Sequence, residues 1–302
     1  MEFERRFASA EACREYLTRL RWPEGVRCLR CSSPTVWSTA RGLYHCPFCG
    51  FQTSVLAGTI FQDTKADLRL WFRAMWYVTN QKSGVSALGL QRALGLGSYQ
   101  TAWSWLQKLR TAMVRPGRER LTAEVEVDET YVGGVAPDRR GGRQRTPTTA
   151  LVAVAAEVRD REIGRIRLQR IPDASGASLV GFVRDAVEPG AVVRTDGWTA
   201  YPGLARAGYT HRPRVVSGSG HTASTLLPRA HRVAALLKRW LLGIHQGAVS
   251  PAHLDGYLDE FTFRFNRRTS RWRGKLFYRL VQQAVQVPPV RLNARRRAAV
   301  RV

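Results

Sequence analysis

In 302 residues the chain sets 48 lysines and arginines against 23 acids, a formal charge of +25, while 44% of its residues are hydrophobic. That apolar share is enough for sizeable cores in about two domains and excludes a disordered polyelectrolyte. No run approaches the ~18 apolar residues of a membrane span, and no apolar signal segment follows the charged start MEFERRF, so a cytoplasmic protein with no membrane partner is expected. The only lysines are Lys65, Lys82, Lys108, Lys238 and Lys275, so the positive charge is almost all arginine. The planar guanidinium matches phosphate oxygens, and an excess of this kind points to a polyanion, of which nucleic acid is the commonest. A GC-rich coding bias would also raise arginine, but would not halve the acids.

Near the N-terminus, Cys28, Cys31, Cys46 and Cys49 form C-x2-C-x14-C-x2-C. Two residues between thiolates let both sulfurs of a turn reach one tetrahedral ion, and the intervening stretch can return as a hairpin. Structural zinc is expected; two disulfides or an iron–sulfur cluster are the alternatives, the first disfavoured in a cytosolic protein. Cys13 reads as a small buried hydrophobe on an amphipathic helix. Arg27, Arg30 and Arg41 surround the knuckles, as phosphate contacts or as solvated surface charge.

Further along, residues 67–78 are apolar almost all round, which predicts a helix buried between other elements. Two shorter helices, 85–94 and 101–113, flank the turn GLGSY at a helix-turn-helix spacing. In the second, Ala102, Trp105, Leu106, Leu109 and Met113 form an inward stripe, leaving Gln100, Thr101, Ser104, Lys108 and Arg110 as candidate DNA contacts. Any two short helices with a glycine turn share this pattern.

From residue 121 the pattern becomes strand, strand, strand, helix, strand: 123–132, 149–158, 162–170, 174–187 and 191–196. An antiparallel trio followed by an α/β unit fits an RNase H-like layout. Asp128 and Asp196 then stand on neighbouring strands, where two carboxylates could hold a hard cation such as Mg²⁺. Taken singly, Asp128 could be an ordinary strand-edge acid and Asp196 a helix cap. Residues 133–148, with Arg139, Arg140, Arg143 and Arg145, read as a long basic loop that tracks DNA, and the arginine-rich tail adds sequence-independent phosphate attraction. The expected fold class is α+β and multidomain: 1–60, an N-terminal helix and zinc ribbon; 61–118, a helix-turn-helix-like segment; 119–285, an RNase H-like α/β catalytic domain; 286–302, a basic tail.

The knuckles, DETYVGG, RTDGWTAY, LLKRWLLGIHQGAV and YLDEFTFRFNRR, in this order, resemble the transposases of insertion-sequence family 1595, zinc-ribbon enzymes of the DDE type that move bacterial DNA elements. The resemblance implies a two-metal mechanism with Mg²⁺ or Mn²⁺, cleavage of element ends and strand transfer into target DNA, with double-stranded DNA as partner, a homo-oligomer assembled on it and a place on the bacterial nucleoid. Asp128 and Asp196 match the first two catalytic positions. Where the family usually has Glu or Asn, seven residues before the lysine of LLKR, this chain has His231, before Lys238. Seven residues are nearly two helical turns, so the two share a face. His231 is expected to complete the metal shell, and Lys238 with its neighbour Arg239 to contact DNA phosphate. A degraded copy with an idle His231 is the alternative, and Asp259 and Glu260 are the runner-up acids. A zinc-ribbon DNA-binding regulator with an inactive RNase H-like domain, and a nuclease without strand transfer, remain as rival readings.

Overall fold

The computed structural model describes residues 2–115, 117–133, 149–215, 223–247 and 249–289. It divides into two compact units, Met1–Arg115 with Ser270–Val302, and Pro116–Thr269. Among the described residues no helix is long and apolar enough to cross a membrane.

The first unit contains helices α1 (Glu2–Arg6) and α2 (Ala10–Arg21), the ribbon strands β1 (Trp37–Ser38), β2 (Tyr44–His45) and β3 (Gln52–Thr53), then α3 (Leu68–Asn80), α4 (Ala87–Leu94) and α5 (Tyr99–Thr111). Side-chain caps set the helix starts. Ser9, Asp67, Ser86 and Ser98 each accept a backbone N–H of the following first turn. The Ser98 cap starts α5 at Tyr99, two residues before the position expected from its apolar stripe. Gly95, with φ 63°, ends α4 in the left-handed conformation that a residue without Cβ adopts without strain.

Helix α3 is buried as expected, with Trp71, Phe72, Met75 and Val78 in the core, and its Trp71 ring stacks on Trp105 of α5 at 3.9 Å. Cys13 is fully buried, and burial first, then Asp67, push its thiol up to about 12, which leaves it inert. The C-terminal helix α11 (Arg273–Ala284) also belongs to this unit. The sequence division placed residues 119–285 together; instead the chain returns here at Ser270, because Phe277 packs against Phe3, Phe7 and Phe72 and completes an aromatic cluster.

The second unit is built on β4 (Glu124–Val132), β5 (Ala150–Arg159), β6 (Glu162–Ile171), β7 (Val192–Asp196) and β8 (Thr210–Arg214), in the order β6-β5-β4-β7-β8. Strands β6, β5 and β4 are antiparallel, whereas β4 with β7 and β7 with β8 are parallel. This is the RNase H-like arrangement expected from the sequence. Helices α6 (Gly176–Ala186) and α7 (Gly203–Arg206) cover one face, with Leu179, Phe182 and Leu204 on Val125, Val127 and Val193. The short α8 (Ala223–Leu226) leads into α9 (Pro228–His245), which covers the other face with α10 (Leu254–Phe265), Val233, Leu237, Leu258 and Phe261 packing on Val152, Val154 and Ala156. Cover on both faces explains why β5 is apolar from Ala150 to Ala156 rather than alternating.

Trp71 is the bulkiest of the fully buried side chains among the described residues. Trp71→Ala should cost ~3–5 kcal/mol, as truncation of a buried tryptophan does. Thermal and urea unfolding followed by near-ultraviolet circular dichroism measure it, and curves that overlay the wild type would refute this packing.

Candidate metal centres and active site

In the ribbon, Cys28 Sγ and Cys49 Sγ lie 3.5 Å apart, as do Cys31 Sγ and Cys46 Sγ, and the four sulfurs all fall within 4.8 Å of one another. A disulfide requires ~2.05 Å. Four sulfurs each ~2.3 Å from one tetrahedral ion stand ~3.8 Å apart, so the donor set fits zinc. Both knuckles are built alike: the residue after the second cysteine, Ser32 at φ 60° and Gly50 at φ 68°, takes the left-handed conformation and returns its N–H to the carbonyl of Cys28 or Cys46. The Cys31 backbone N–H, then that of Arg30, bring the Cys28 thiol down to about 6. At Cys31 the Ser33 backbone N–H pulls the other way, but the Cys46 thiol and burial leave its thiol pushed up to about 12. Crowded thiols thus lose protons one after another, and a dication bonded to all four removes that conflict.

The acids lie at the centre of the second unit. On β4, Val125 and Val127 point to the α6 side, so the alternate residues Glu124, Glu126 and Asp128 share the α9 side. The parallel β4–β7 pairing runs Glu124↔Val192, Val125↔Val193, Glu126↔Arg194, and Asp128 and Asp196 each lie two residues beyond its last pair. After burial and Glu129, both carboxylates act on the buried Tyr201 phenol and help to raise its pKa. Asp196 ends β7, and its Oδ1 accepts the Trp198 N–H at 3.1 Å. Between them Gly197 is closely packed: a Cβ there would meet Val215 Cγ2 at 3.0 Å, so Val215 would have to shift.

His231 lies in the first turn of α9, and its Nε2 is 3.4 Å from Asp128 Oδ2, with the imidazole 35% and the carboxylate 14% exposed. Two carboxylates and an imidazole suit a hard divalent cation, with the nitrogen favouring Mn²⁺ over Mg²⁺. Lys238 and Arg239 are exposed on the same helix, ~10 Å along its axis from His231 at 1.5 Å per residue.

Other candidates fall elsewhere. Glu260 is fully buried and binds Arg264 at 2.8 Å, and α10 packs against β6, two strands from β4, so the runner-up acids form a structural ion pair and its neighbour. Arg110 is only 1% exposed, which corrects its assignment to a DNA-facing surface: the buried face of α5 is wider than the stripe and takes in Gln107 and Arg110. Lys108 is half-buried, its ammonium 6.0 Å from the Trp71 ring centroid, and burial lowers its pKa. Arg139, Arg140, Arg143, Arg145 and the arginine tail lie outside the described residues.

Three features escaped the sequence reading. Glu126 is fully buried and binds the start of α9. Glu129 accepts the buried Tyr201 hydroxyl at 2.7 Å, and burial first, then Glu129, drive that phenol's pKa far up. Arg214, exposed on β8, is level with Asp196 and on its face. The period-two run of acids at 124, 126 and 128, alternating with Val125 and Val127, was the available signal for the first.

The ISXO2-like transposase domain matches residues 120–266, and the transposase zinc-ribbon domain matches residues 8–52, both of the insertion-sequence 1595 grouping. A protein of the transposable element ISH50 of Halobacterium salinarum, itself uncharacterized, is 27% identical over 274 residues, 85% of this chain and 91% of that one. Among solved structures, a chain of the simian T-cell lymphotropic virus intasome in complex with the PP2A regulatory subunit B56 gamma is similar over 62% of this chain and 70% of that chain, at 16% identity and a TM-score of 0.34. That likeness is too loose to carry an argument.

The ribbon's three two-residue strands have little core, so metal binding should supply most of its folding free energy. Purified protein is expected to hold about one zinc per chain by atomic emission, with chelation melting the ribbon. Folded, reduced protein with no zinc would overturn this.

Proposed function

Because the chain belongs to the insertion-sequence 1595 transposase family, we propose that it is a metal-dependent DNA transposase that cuts the ends of its own element and joins them to target DNA. The observation that best supports this reading is the Asp128–His231 pair, 3.4 Å apart between β4 and α9, with Asp196 on the adjacent strand β7. Magnesium or manganese held by these three residues would activate the attacking hydroxyl and stabilise charge on the leaving oxygen. In cleavage, water attacks the phosphorus at the element end and the bond to the 3′ oxygen breaks. In strand transfer, the freed 3′ hydroxyl attacks a target phosphorus and the target's 3′ oxygen leaves. Both are in-line displacements, so one rigid pair of carboxylates serves both.

The chain's own part is to place charge. Asp128 and Asp196 supply anionic oxygens from paired strands, which hold position better than loops. His231 adds a nitrogen donor without a third negative charge. Arg214, level with Asp196, offers a guanidinium to a phosphate oxygen next to the reacting one, and Lys238 and Arg239 follow the duplex away from it. Residues 1–60 and 61–118 bind the element ends through the ribbon and the α4–α5 pair, with Lys108 and the basic loop adding phosphate contacts. Since a mobile element has two ends, a homo-oligomer on DNA in the cytoplasm of the host is the working form.

Asp128→Asn and Asp196→Asn should each lower cleavage of an end substrate by ~10³-fold or more, the order lost with a principal transition-state stabiliser, while binding of the same DNA persists and weakens steeply with salt. A mutant that nicks at the wild-type rate would place the metal site elsewhere, and cleaved ends without joint molecules would make the protein a nuclease rather than a transposase. His231→Ala should be severely impaired, whereas His231→Glu should retain activity and shift its preference from Mn²⁺ toward Mg²⁺. Nicking assays with each metal separate these, and full activity of the alanine variant would remove His231 from the site.

A further inference from the structure

Helix α9 starts without a cap of its own. Leu227 stands at the N-cap position with no side-chain hydrogen bond and is buried in the core, and Pro228 follows as the first helical residue. The next N–H groups would be orphaned in a buried position. They are met from across the fold: Glu126 Oε2 accepts the Arg229 N–H at 2.6 Å and the Ala230 N–H at 3.0 Å. Glu126 Oε1 accepts Arg229 Nη1 at 2.9 Å, and the carboxylate has no exposed surface.

We propose that Glu126 is a positioning residue for the metal site, locking the first turn of α9 to β4 so that His231 meets Asp128. The inference rests on the reading that Asp128, Asp196 and His231 hold the catalytic metal. The geometry is economical: Glu126 and Asp128 are successive residues on one face of β4, and the capped residues Arg229 and Ala230 immediately precede His231. Each partner of the Asp128–His231 pair therefore lies within two residues of the same carboxylate clamp. Arg229 extends the clamp by donating to the carbonyls of Glu162 and Asp160 at the β5–β6 turn. A serine or aspartate at position 227 would cap the helix locally and tie it to nothing else. A cap from β4 both satisfies the helix start and sets its distance from the strand. Burial of the carboxylate is sustained because three donors and the positive end of the helix dipole surround it. Both of its oxygens are occupied, so Glu126 itself is not assigned to the metal.

The test measures Mn²⁺ binding to full-length, zinc-loaded protein by electron paramagnetic resonance, together with cleavage as a function of Mn²⁺ concentration. Glu126→Gln should raise the Mn²⁺ dissociation constant by ~10–100-fold, the range lost when an outer partner of a metal ligand is removed. Zinc content and DNA affinity should stay at wild-type values. If Glu126→Gln alone does not fold, the pair Glu126→Gln with Arg229→Met removes both charges together and keeps the buried volume, and the same weakening is expected from it. Glu126→Asp, charged but one methylene short, should recover part of the affinity. Adding Glu126→Gln to His231→Ala should weaken binding no further than His231→Ala alone, since the clamp acts through the histidine. Wild-type Mn²⁺ affinity in a folded Glu126 variant, or losses that add fully to those of His231→Ala, would overturn the positioning role while leaving the metal site intact. If Asp128→Asn and His231→Ala also bind Mn²⁺ like the wild type, the metal-site reading fails first and the inference falls with it.

Discussion

The parallel pairing of β4 with β7 at the middle of the sheet is the constraint from which the site follows. It brings Asp128 and Asp196, from distant segments, onto neighbouring strands, each two residues past the last paired position. Because helices cover both faces, every acid on the α9 side of β4 needs a partner. Glu124 has Arg194 at 2.5 Å, Glu126 has Arg229 at 2.9 Å and Asp128 has His231 at 3.4 Å. The first two partners are guanidiniums, which carry no lone pair for a metal. At the third the partner is an imidazole, which does. The same strand thus passes within a few residues from acids paired with guanidiniums to an acid paired with an imidazole, the pair to which the proposed metal site is assigned.

Net charge is a poor guide to where DNA would be bound. Several arginines are structural: Arg110 is buried in the helical unit, and Arg167 on β6 is 6% exposed, its pKa brought down to about 10 by burial first and then by Arg118. Arg165 is held by the buried Glu157, which it bonds with two nitrogens. Arg165 is taken up by the Glu157 carboxylate and Arg167 by the carbonyls of Ile166 and Glu119, so neither is left to a phosphate. Arg212, Arg214, Lys238 and Arg239 are exposed, and their places on the edge strand and on α9 give the charge a direction.

The helical unit shows a different economy. Its ribbon is three two-residue strands gathered round the cysteine cluster, while α2, α3, α5 and α11 share a dense aromatic core around Trp71, Phe72 and Phe277. The two kinds of stabilisation respond to different insults. Chelation would remove the first, and large-to-small substitutions the second.

Local spacing alone made legible the thiolate knuckles, the buried helix at Trp71, the strands of the sheet and the presence of an aspartate on each of two of them, although Asp128 lies in the middle of β4 and only Asp196 ends its strand. These are readable because a turn, a helical stripe or a pleat is specified by residues a few places apart. It also put His231 and Lys238 on one helical face. Only the tertiary structure decided what each polar residue meets. Glu126 looks like one more polar position of an alternating strand until α9 is laid across it, and Arg110 looks like a surface arginine until the rest of its unit buries it. The return of α11 to the first unit was illegible for the same reason: its amphipathic pattern states that one face is buried, but not against which partner. Burial and ion pairing are properties of residues a hundred positions apart, and their energies arise only when the chain brings those residues into contact.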